Sequence, residues 1–318
     1  AEIAALPKGV YRNSMRIDGH DHPLDLVAAL TIDENGITVD YDGTSSKSRY
    51  GVNVPAAYTT AYTCFGLSCI VSSKIPNNAG SLAPFEVTAP EGSILNAPYP
   101  APVCLRHVIG QMLPDVVFGC LDQAAPDRVP AVVASALWNL TFRGETDRAS
   151  NQRHLFAVTA VTNGGMGARP DRDGLSATAY PSGVKGTPVE INETIAPLIF
   201  WRKEYRSDSA GAGEYRGGLG QVIEVENAIG KDFDLLAGFE RLQHPARGRH
   251  GGEDGQPGAV FLESGAALRG KGTQTIKAGE RLVIHTPGGA GYGDRAKRNP
   301  ERVQADVSDK LSAAAGGD

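Results

Sequence analysis

The N-terminal part of the chain opens with short apolar runs that are typical of β-strands. Residues 26–31 and 37–41 form two such runs, and the Asn35-Gly36 pair between them favours positive φ and a tight turn. This pattern predicts a hairpin. Residues 55–73 are small and apolar over the length of a helix, and Pro55 is acceptable in a first helical turn. A helix is therefore predicted after the hairpin.

Prolines then interrupt the pattern. Six of them lie between residues 76 and 102, so only short strands such as residues 85–88 can form there. Residues 103–123 return to a near-helical spacing of apolar positions. Because proline disrupts a helix interior, we expect Pro114 to kink or divide this helix.

The C-terminal half changes character to short β-leaning runs with Gly-rich connectors, which predicts an antiparallel sheet or a sandwich-like layer. At the end of the chain, a first-turn Pro300 precedes Val303, Val307 and Leu311, which are spaced four residues apart. This spacing predicts an amphipathic helix over residues 300–313 that docks on the body of the protein. The β-leaning runs are residues 155–161, 221–226, 233–239, 259–263 and 281–285.

Together these elements predict an α+β fold. It is mixed, with helices mainly in the N-terminal half, an antiparallel β-rich C-terminal half and a C-terminal helix. We divide the chain into an α+β portion with substrate-side loops at residues 1–140 and a β-rich portion with Gly-rich loops at residues 141–318. One continuous domain remains an alternative.

The composition is that of a globular protein, with 41% apolar and 21% charged residues. Its 39 glycines and 20 prolines indicate many turns and short elements. A net charge of −5 provides no overall positive field for nucleic acid or anionic lipid. No run approaches the ~18 apolar residues that a membrane-spanning helix needs. We therefore expect neither nucleic acid nor a membrane as a partner.

The four cysteines, at positions 64, 69, 104 and 120, are widely spaced and lie in apolar runs. Their spacing matches neither a disulfide framework nor a zinc site, so they are interpreted as reduced core thiols. No secretory signal is visible in the first ten residues. A cytoplasmic location is expected.

Two polar loops could carry chemistry. The Asp-Gly-His-Asp-His segment at 18–22 has metal-ligand residue types, but consecutive residues rarely converge on one ion, so a turn is favoured. The loop at 40–46 includes Asp42 and Thr44, and Asn53 follows it. Its glycine permits close backbone approach to a polar ligand, although such loops are more often self-capping turns.

A third candidate is the pair Arg106-His107 near the start of the helix expected from residue 103. Adjacent helical residues point about 100° apart, so at most one of the two faces a given pocket. A histidine among apolar neighbours is more often a core residue than a catalytic base, and both interpretations of His107 stay open.

Three glycine-rich loops lie at residues 163–170, 211–220 and 287–294. None contains Gly-Lys-Ser/Thr or a G-x-G-x-x-G between a strand and a helix, so nucleotide binding by this chain alone is not supported. The sequence also has no G-x-S-x-G elbow and no H-E-x-x-H helix, which argues against a self-contained serine hydrolase or zinc protease.

Eight short motifs follow one another along the chain: PKGVY at 7–11, DGTS at 42–45, NVP at 53–55, PNNAG at 76–80, PEGS at 90–93, GGMGARPDRDG at 164–174, YRGGLG at 215–220 and TPGGAGYGD at 286–294. In this order they resemble the hydantoinase B/5-oxoprolinase family. The resemblance spans essentially the whole chain, and it corresponds to the C-terminal part of a typical member.

The resemblance implies a subunit of a large assembly that uses ATP to activate an amide or carbonyl oxygen. An actin-like, hydantoinase A-type partner would carry ATP with Mg²⁺ and phosphorylate the substrate, and the hydantoinase B-like subunit would complete the reaction at a metal-containing site. Phosphorylation turns the oxygen of an unstrained amide into a good leaving group before a metal-activated water attacks.

This sequence departs from the family in one respect. Relatives carry a region of paired histidines and aspartates toward the N-terminus, and no His-His pair occurs here. We therefore expect the divalent metal, whether Zn, Mn or Fe, on another polypeptide that carries the N-terminal part of the hydantoinase B-like fold. The chain would then be a split subunit, a cleavage product or a fragment.

The leading hypothesis is an ATP-dependent hydrolase of cyclic amides such as hydantoins, 5-oxoproline or lactams. The alternatives are a subunit of a ketone carboxylase, acting on acetone or acetophenone, and a structural subunit without catalytic residues. We assign His107 and Asp42 as candidate catalytic residues and Thr44, Asn53 and Arg106 as candidate substrate-binding residues. No metal or cofactor ligand is assigned within this chain.

Overall fold

The computed structural model describes residues 2–134, 137–146, 154–178 and 180–313. The chain forms two compact units, Ala1–Pro130 and Ala131–Asp318, so the division follows Pro130, whereas the portions drawn from the sequence met at residue 140. Helices lie mainly in the first unit and antiparallel sheets fill the second. The predicted α+β class is confirmed.

A four-stranded sheet forms the base of the first unit. Its strands are β1 (Gly9–Ile17), β2 (Leu24–Ile32), β3 (Ile37–Asp40) and β4 (Phe85–Thr88), in the order β1-β2-β3-β4. Neighbours are antiparallel except for β3 and β4, which run parallel. β2 and β3 are the predicted hairpin, and β4 is the predicted short strand in the proline-rich stretch.

Two of the helices of this unit pack on the sheet. The helices are α1 (Ala56–Val71), α2 (Ala79–Leu82), α3 (Arg106–Gly110) and α4 (Leu113–Leu121). α4 packs on β1 and β2, and α1 packs on α4 and β4. Gly66 allows the close approach of α1 to α4, because a Cβ there would lie 2.8 Å from the Cα of Pro114. The predicted helix after the hairpin and the predicted division near Pro114 are both confirmed.

The second unit contains eight strands and two α-helices among the described residues: β5 (Leu137–Thr146), β6 (His154–Asn163), α5 (Val189–Ile195), β7 (Leu198–Tyr205), β8 (Gln221–Asn227), β9 (Phe233–Gly238), β10 (Ala259–Leu262), β11 (Lys271–Ile276), β12 (Leu282–His285) and α6 (Pro300–Ser308). The strands form two four-stranded antiparallel sheets, in the orders β10-β12-β8-β7 and β11-β9-β5-β6. Side chains from both sheets form one hydrophobic core that includes Trp138, Phe142, Phe233 and Ile284, so the sheets pack face to face as a sandwich.

The C-terminal helix docks only in part through the residues that the sequence predicted. Of the stripe of Val303, Val307 and Leu311, the last two are half-buried, but Val303 is 44% exposed. The buried residue of α6 is Asp306, which pairs with two arginines of the same unit. The helix is therefore held by charge pairing that periodicity of apolar residues could not reveal.

The cysteine prediction is confirmed in part. All four cysteines lie in the described part of the chain, and none of them forms a disulfide there. Cys64 and Cys120 are buried and Cys69 is half-buried, but Cys104 is exposed. Cys104 is not a core thiol because it lies in the turn that leads into α3.

No helix among the described residues is long and apolar enough to cross a membrane.

Candidate functional site

The loop after β3 completes the hydrogen bonding of β2. β3 pairs only with residues 29–32 of β2. Beyond that point, Thr44 Oγ1 accepts a hydrogen bond from Val27 N at 3.0 Å and donates one to Val27 O at 3.1 Å. Ser45 Oγ accepts from Asp25 N at 2.9 Å, and Ser45 N donates to Asp25 O at 2.9 Å. The hydroxyls therefore satisfy a strand edge that would otherwise lack partners.

Asp42 lies at the tip of the same loop, where its carboxylate is exposed. The backbone N–H of Asp42 donates to Asp40 Oδ1 at 3.1 Å, and Thr88 Oγ1 donates to the same oxygen at 3.1 Å. Gly43 follows with φ of 85°, a conformation that glycine adopts without strain. This geometry is that of an Asx turn anchored between β3 and β4.

Asn53 is fully buried and ties two loops together. Its Oδ1 accepts from Ser48 N at 2.7 Å, and its Nδ2 contacts the carbonyl oxygens of Ser48, Tyr50 and Pro102 at 2.8–2.9 Å. The amide is thereby saturated by backbone groups. In this structure Asn53 fixes the 48–50 loop beside the segment that leads into α3.

The 48–50 loop carries an exposed aromatic and cationic cluster. The Tyr50 ring stacks on His20 with centroids 3.6 Å apart. Arg49 Nη2 donates to Tyr50 Oη at 2.8 Å and lies 3.5 Å from the carboxylate of Asp21. Asp21 also contacts His22 Nδ1 at 3.0 Å. The polar side chains of the 18–22 segment therefore contact one another and the 48–50 loop, as is typical of a turn.

The next residue joins this loop to α3. Gly51 O accepts from Leu105 N at 2.7 Å, and a Cβ at Gly51 would lie 2.3 Å from Cys104 Sγ. A side chain at position 51 would therefore displace the Cys104 thiol. The 18–22 turn, the 48–51 loop and the start of α3 therefore form one continuous surface, which we call the α3 surface.

Arg106 and His107 lie at the first turn of α3, against α1. The Arg106 guanidinium carbon is 5.7 Å from the centroid of the Tyr58 ring, and Tyr58 stacks on Tyr62 with centroids 4.7 Å apart. Desolvation lowers the pKa of His107, and the Arg106 charge lowers it further. At neutral pH the imidazole is therefore uncharged and able to accept a proton.

The structure brings only some of the predicted site residues together. Arg106 and His107 are neighbours on α3, and Asn53 reaches Pro102 close to the start of that helix. The hydrogen bonds made by Asp42 and Thr44 lie within their own loop and with β2. Roles of all five residues in catalysis or substrate binding stay predictions.

Two tyrosines at the α3 surface were not singled out from the sequence. Tyr58 and Tyr62 are four residues apart on α1, so they face the same side of the helix. Desolvation raises the pKa of Tyr58, which keeps its hydroxyl protonated. The i, i+4 spacing within the predicted helix was the available signal, but it did not indicate a contact with Arg106.

The candidate metal ligands of the 18–22 segment do not converge on one point. In the described ranges, no group of three or more His, Cys, Asp or Glu side chains could hold a metal ion. The donor set of the 18–22 segment is dispersed, because His20 stacks on Tyr50 while Asp21 turns to Arg49 and His22. No reaction step is assigned to a metal held by these residues.

The three glycine-rich loops of the second unit pack on one another, and we call this packing the glycine junction, formed by residues 164–174, 209–220 and 287–293. Gly218 N donates to Met166 O at 2.7 Å, Gly289 N to Gly218 O at 2.9 Å, and Gly211 N to Gly289 O at 2.8 Å. A Cβ at Gly165 would lie 1.8 Å from Gly218 O. These N–H groups are used by backbone carbonyls of the junction, so they form no phosphate cradle.

An ion-pair network attaches α6 to the glycine junction. Asp173 accepts from Arg298 Nη1 at 2.9 Å and Nη2 at 3.0 Å, and from the backbone N of Arg216 at 2.7 Å. Asp306 pairs with Arg298 at 2.7 Å and with Arg216 at 3.1 Å. Asp306 thus bridges the side chains of Arg216 and Arg298, and Asp173 bridges the side chain of Arg298 and the backbone of Arg216. The arrangement holds protein segments together and leaves neither arginine free for a ligand.

Known proteins resemble this chain in sequence. The sequence profile described as Hydantoinase B/oxoprolinase matches residues 1–295. The chain is 32% identical to 5-oxoprolinase 1 of Arabidopsis thaliana over 90% of this chain and 22% of that protein. It is 28% identical to the B-type component of a putative D-/L-hydantoinase from a Pseudomonas species, over 96% of this chain and 54% of that component.

A solved structure agrees with these sequence matches. The ATP-dependent caprolactamase from Pseudomonas jessenii superposes with a TM-score of 0.84 at 25% identity, over 98% of this chain and 56% of the matched chain. The chain belongs to the hydantoinase B/oxoprolinase family. It spans between about a fifth and about half of the length of the relatives it matches.

Proposed function

We propose that this chain is part of a hydantoinase B-like subunit of an ATP-dependent hydrolase that opens cyclic amides. The observation that carries the proposal is the family match over residues 1–295, together with relatives named as a 5-oxoprolinase, a hydantoinase component and an ATP-dependent caprolactamase. All three names denote enzymes whose substrate has an amide within a ring. We expect the assembly to be cytoplasmic.

The proposed assembly divides the chemistry among several polypeptides. An actin-like, hydantoinase A-type subunit would bind ATP with Mg²⁺ and phosphorylate the substrate oxygen. A polypeptide with the N-terminal part of the hydantoinase B-like fold would hold the divalent metal. Since the described residues of this chain offer no metal-ligand cluster, its contribution would be the substrate-facing α3 surface and the scaffold behind it.

Within this scheme the α3 surface has a chemical role. The exposed Arg106 guanidinium can pair with a carboxylate or phosphorylated oxygen of the substrate, because guanidinium groups match oxyanions well. The uncharged His107 can accept a proton from the attacking water or return one to the departing amine. Asp42, on its exposed loop, remains the second catalytic candidate.

Reconstitution with an actin-like subunit and the N-terminal hydantoinase B-like polypeptide tests the proposal. ATP hydrolysis would be measured with 5-oxoproline, hydantoins, caprolactam, acetone and acetophenone, each with and without bicarbonate. We expect ATP turnover coupled to ring opening of at least one cyclic amide, independent of bicarbonate. Turnover only with a ketone and bicarbonate would instead identify a carboxylase.

Substitutions separate a catalytic from a structural subunit. In the assembled complex, His107→Ala and Asp42→Ala should each lower kcat/KM if these residues take part in proton transfer. Unchanged kcat/KM in both variants would assign this chain a structural role only. Assembly of the variants would be verified by native mass spectrometry before kinetics.

A further inference from the structure

Arg106 at the start of α3 makes few contacts that could fix its guanidinium. Nη1 donates to Val103 O at 3.2 Å, and the guanidinium carbon lies over the Tyr58 ring, 5.7 Å from its centroid. The side chain is exposed, and no carboxylate of the described residues forms an ion pair with it. An exposed arginine side chain has many accessible rotamers. Contact with a ring can therefore decide where its charged end lies.

The Tyr58 ring is held between α1 and α3. Along one edge it meets the backbone of α3, since a Cβ at Gly110 would lie 2.2 Å from Tyr58 Cε1. It also stacks on Tyr62, with centroids 4.7 Å apart and 15° between the ring planes. Tyr62 in turn meets Phe65 edge-on, with centroids 6.4 Å apart. The Tyr58 ring thus offers Arg106 an ordered surface.

The contact between Tyr58 and Arg106 joins a cation to an uncharged ring. Desolvation raises the pKa of Tyr58, a hydrogen bond to Tyr62 raises it further, and the Arg106 charge opposes both. The phenol therefore stays protonated at neutral pH. A cation–π contact at an exposed site changes an equilibrium about two- to fivefold. This is large enough to bias the position of the guanidinium.

We propose that Tyr58 is a positioning residue that holds Arg106 where it can bind an oxyanion of the substrate. This role rests on the proposed function, because the oxyanion belongs to the cyclic amide: it is either a carboxylate on the ring or the phosphorylated oxygen. Both are recognised by the paired N–H groups of a guanidinium. Tyr58 acts through Arg106 and touches no reacting atom.

The position of Arg106 matters because His107 is the next residue of α3. The Arg106 charge lowers the pKa of His107, so the guanidinium lies near enough to act on the imidazole electrostatically. Adjacent helical residues point about 100° apart, so the two side chains leave the helix in different directions. A ring that fixes the guanidinium therefore also fixes its separation from the imidazole. Arg106 can then bind one part of a substrate while His107 exchanges a proton with another.

Packing alone is the alternative role for Tyr58, since arginines often lie over surface aromatic rings. Tyr58 would then only join α1 to α3, and its loss would act independently of Arg106. The two roles differ in energetic coupling. If Tyr58 works through Arg106, its substitution has no further effect once Arg106 is gone.

A double-mutant cycle in the assembled complex tests this role. kcat and KM would be measured with 5-oxoproline, which carries a carboxylate, and with hydantoin and caprolactam, which carry none. Tyr58→Leu should lower kcat/KM about two- to fivefold, Arg106→Ala should lower it more, and the double variant should match Arg106→Ala. A loss through KM with 5-oxoproline alone would identify the carboxylate as the ligand. A loss through kcat with every substrate would identify the phosphorylated oxygen.

Two further variants separate the ring from general packing. Tyr58→Phe keeps the ring and should recover most of the kcat/KM lost in Tyr58→Leu. Phe65→Leu is the matched control, since it makes the same kind of change on α1 at a ring that meets Tyr62. It should leave kcat/KM unaltered. Native mass spectrometry would verify assembly, and Tyr58→Met would replace the leucine variant if that variant does not assemble.

Three results would overturn the role of Tyr58 while the proposed function stands. They are an unaltered kcat/KM in Tyr58→Leu, losses that multiply in the double variant, and an equal loss in Phe65→Leu. A complex of unaltered chains that opens no cyclic amide would instead overturn the proposed function, and the role of Tyr58 with it.

Discussion

The α3 surface and the glycine junction are both rich in motifs, but they use them in different ways. At the α3 surface, polar and aromatic side chains such as Tyr50 and Arg106 remain accessible around two loops fixed by Asn53. At the glycine junction, the backbones of the three loops pack so closely that a Cβ at several glycines would clash with backbone atoms. Motifs of the first kind can contact a ligand, whereas those of the second kind stabilise the packing of loops within their own unit.

The largest effect on stability is expected from Gly218→Ala in the glycine junction. A Cβ at this position would lie 1.9 Å from the carbonyl oxygen of Leu175, and backbone atoms cannot move aside as a side chain can. The free energy of unfolding should fall by more than about 4 kcal/mol. Urea denaturation would measure it, with Gly186→Ala as control because its nearest atoms would be 3.7 Å away.

A smaller loss is expected from Asp306→Ala, which removes one carboxylate from the network that attaches α6. Arg216 and Arg298 would keep their charges in a mostly buried setting, at a cost of about 3 kcal/mol. The exposed Asp309 on the same segment supplies the control Asp309→Ala. Equal stability of the two variants would show that the network does not hold the helix.

The stability of the folded protein should depend on pH through His285, the last residue of β12, which lies two residues before the junction segment 287–293. Desolvation, with the charges of Arg206 and Arg202, lowers the pKa of His285 to about 4, and Glu224 opposes this shift. Between pH 6.5 and 4 the unfolded chain binds a proton that the folded protein does not bind. Stability should therefore decrease as the pH falls through this window.

We expect the loss attributable to His285 to be about 2 kcal/mol, allowing for partial solvent screening. Thermal unfolding of the unaltered chain and of His285→Phe across this pH range would measure it. The variant keeps an aromatic ring against Phe261, 5.1 Å away in the folded protein. If the stability of both proteins fell equally with decreasing pH, protonation of His285 would not be the cause.

The smallest effect on stability is expected at the α3 surface. Arg106→Ala removes an exposed side chain whose contacts are the Tyr58 ring and Val103 O, so the free energy of unfolding should change by no more than about 0.5 kcal/mol. The same substitution should lower kcat/KM of the assembled complex. A loss of stability comparable to that of Gly218→Ala would remove the distinction between the two regions.

Local signals in the sequence predicted much of the fold. The Asn35-Gly36 turn and the apolar runs on either side of it correspond to β2 and β3, and Pro114 lies where two helices separate. β1, β5, β7 and β11 were not predicted. Their exposed positions carry charged and polar residues, as in the Trp-Arg-Lys-Glu-Tyr segment of β7, so no apolar run marks them.

The sites were harder to predict because their geometry depends on distant residues. The sequence showed three glycine-rich loops, but not that Gly165 would meet Gly218, which lies far along the chain in another of these loops. Asn53 was selected as a ligand contact from its residue type, yet its amide is occupied by backbone groups of the two loops that it joins. Asp306 lies within a helix whose apolar spacing pointed to other residues.

The value of kcat/KM for His107→Gln in the assembled complex tests the central claim that His107 supplies the acid–base chemistry of the α3 surface. His22→Gln, an exposed histidine on the β1–β2 turn, is the matched control. We predict a decrease of about 100-fold or more for His107→Gln, typical of a lost acid–base group, with unaltered stability and a control equal to the unaltered protein. Equal kcat/KM for both variants would contradict the account and leave this chain as scaffold alone.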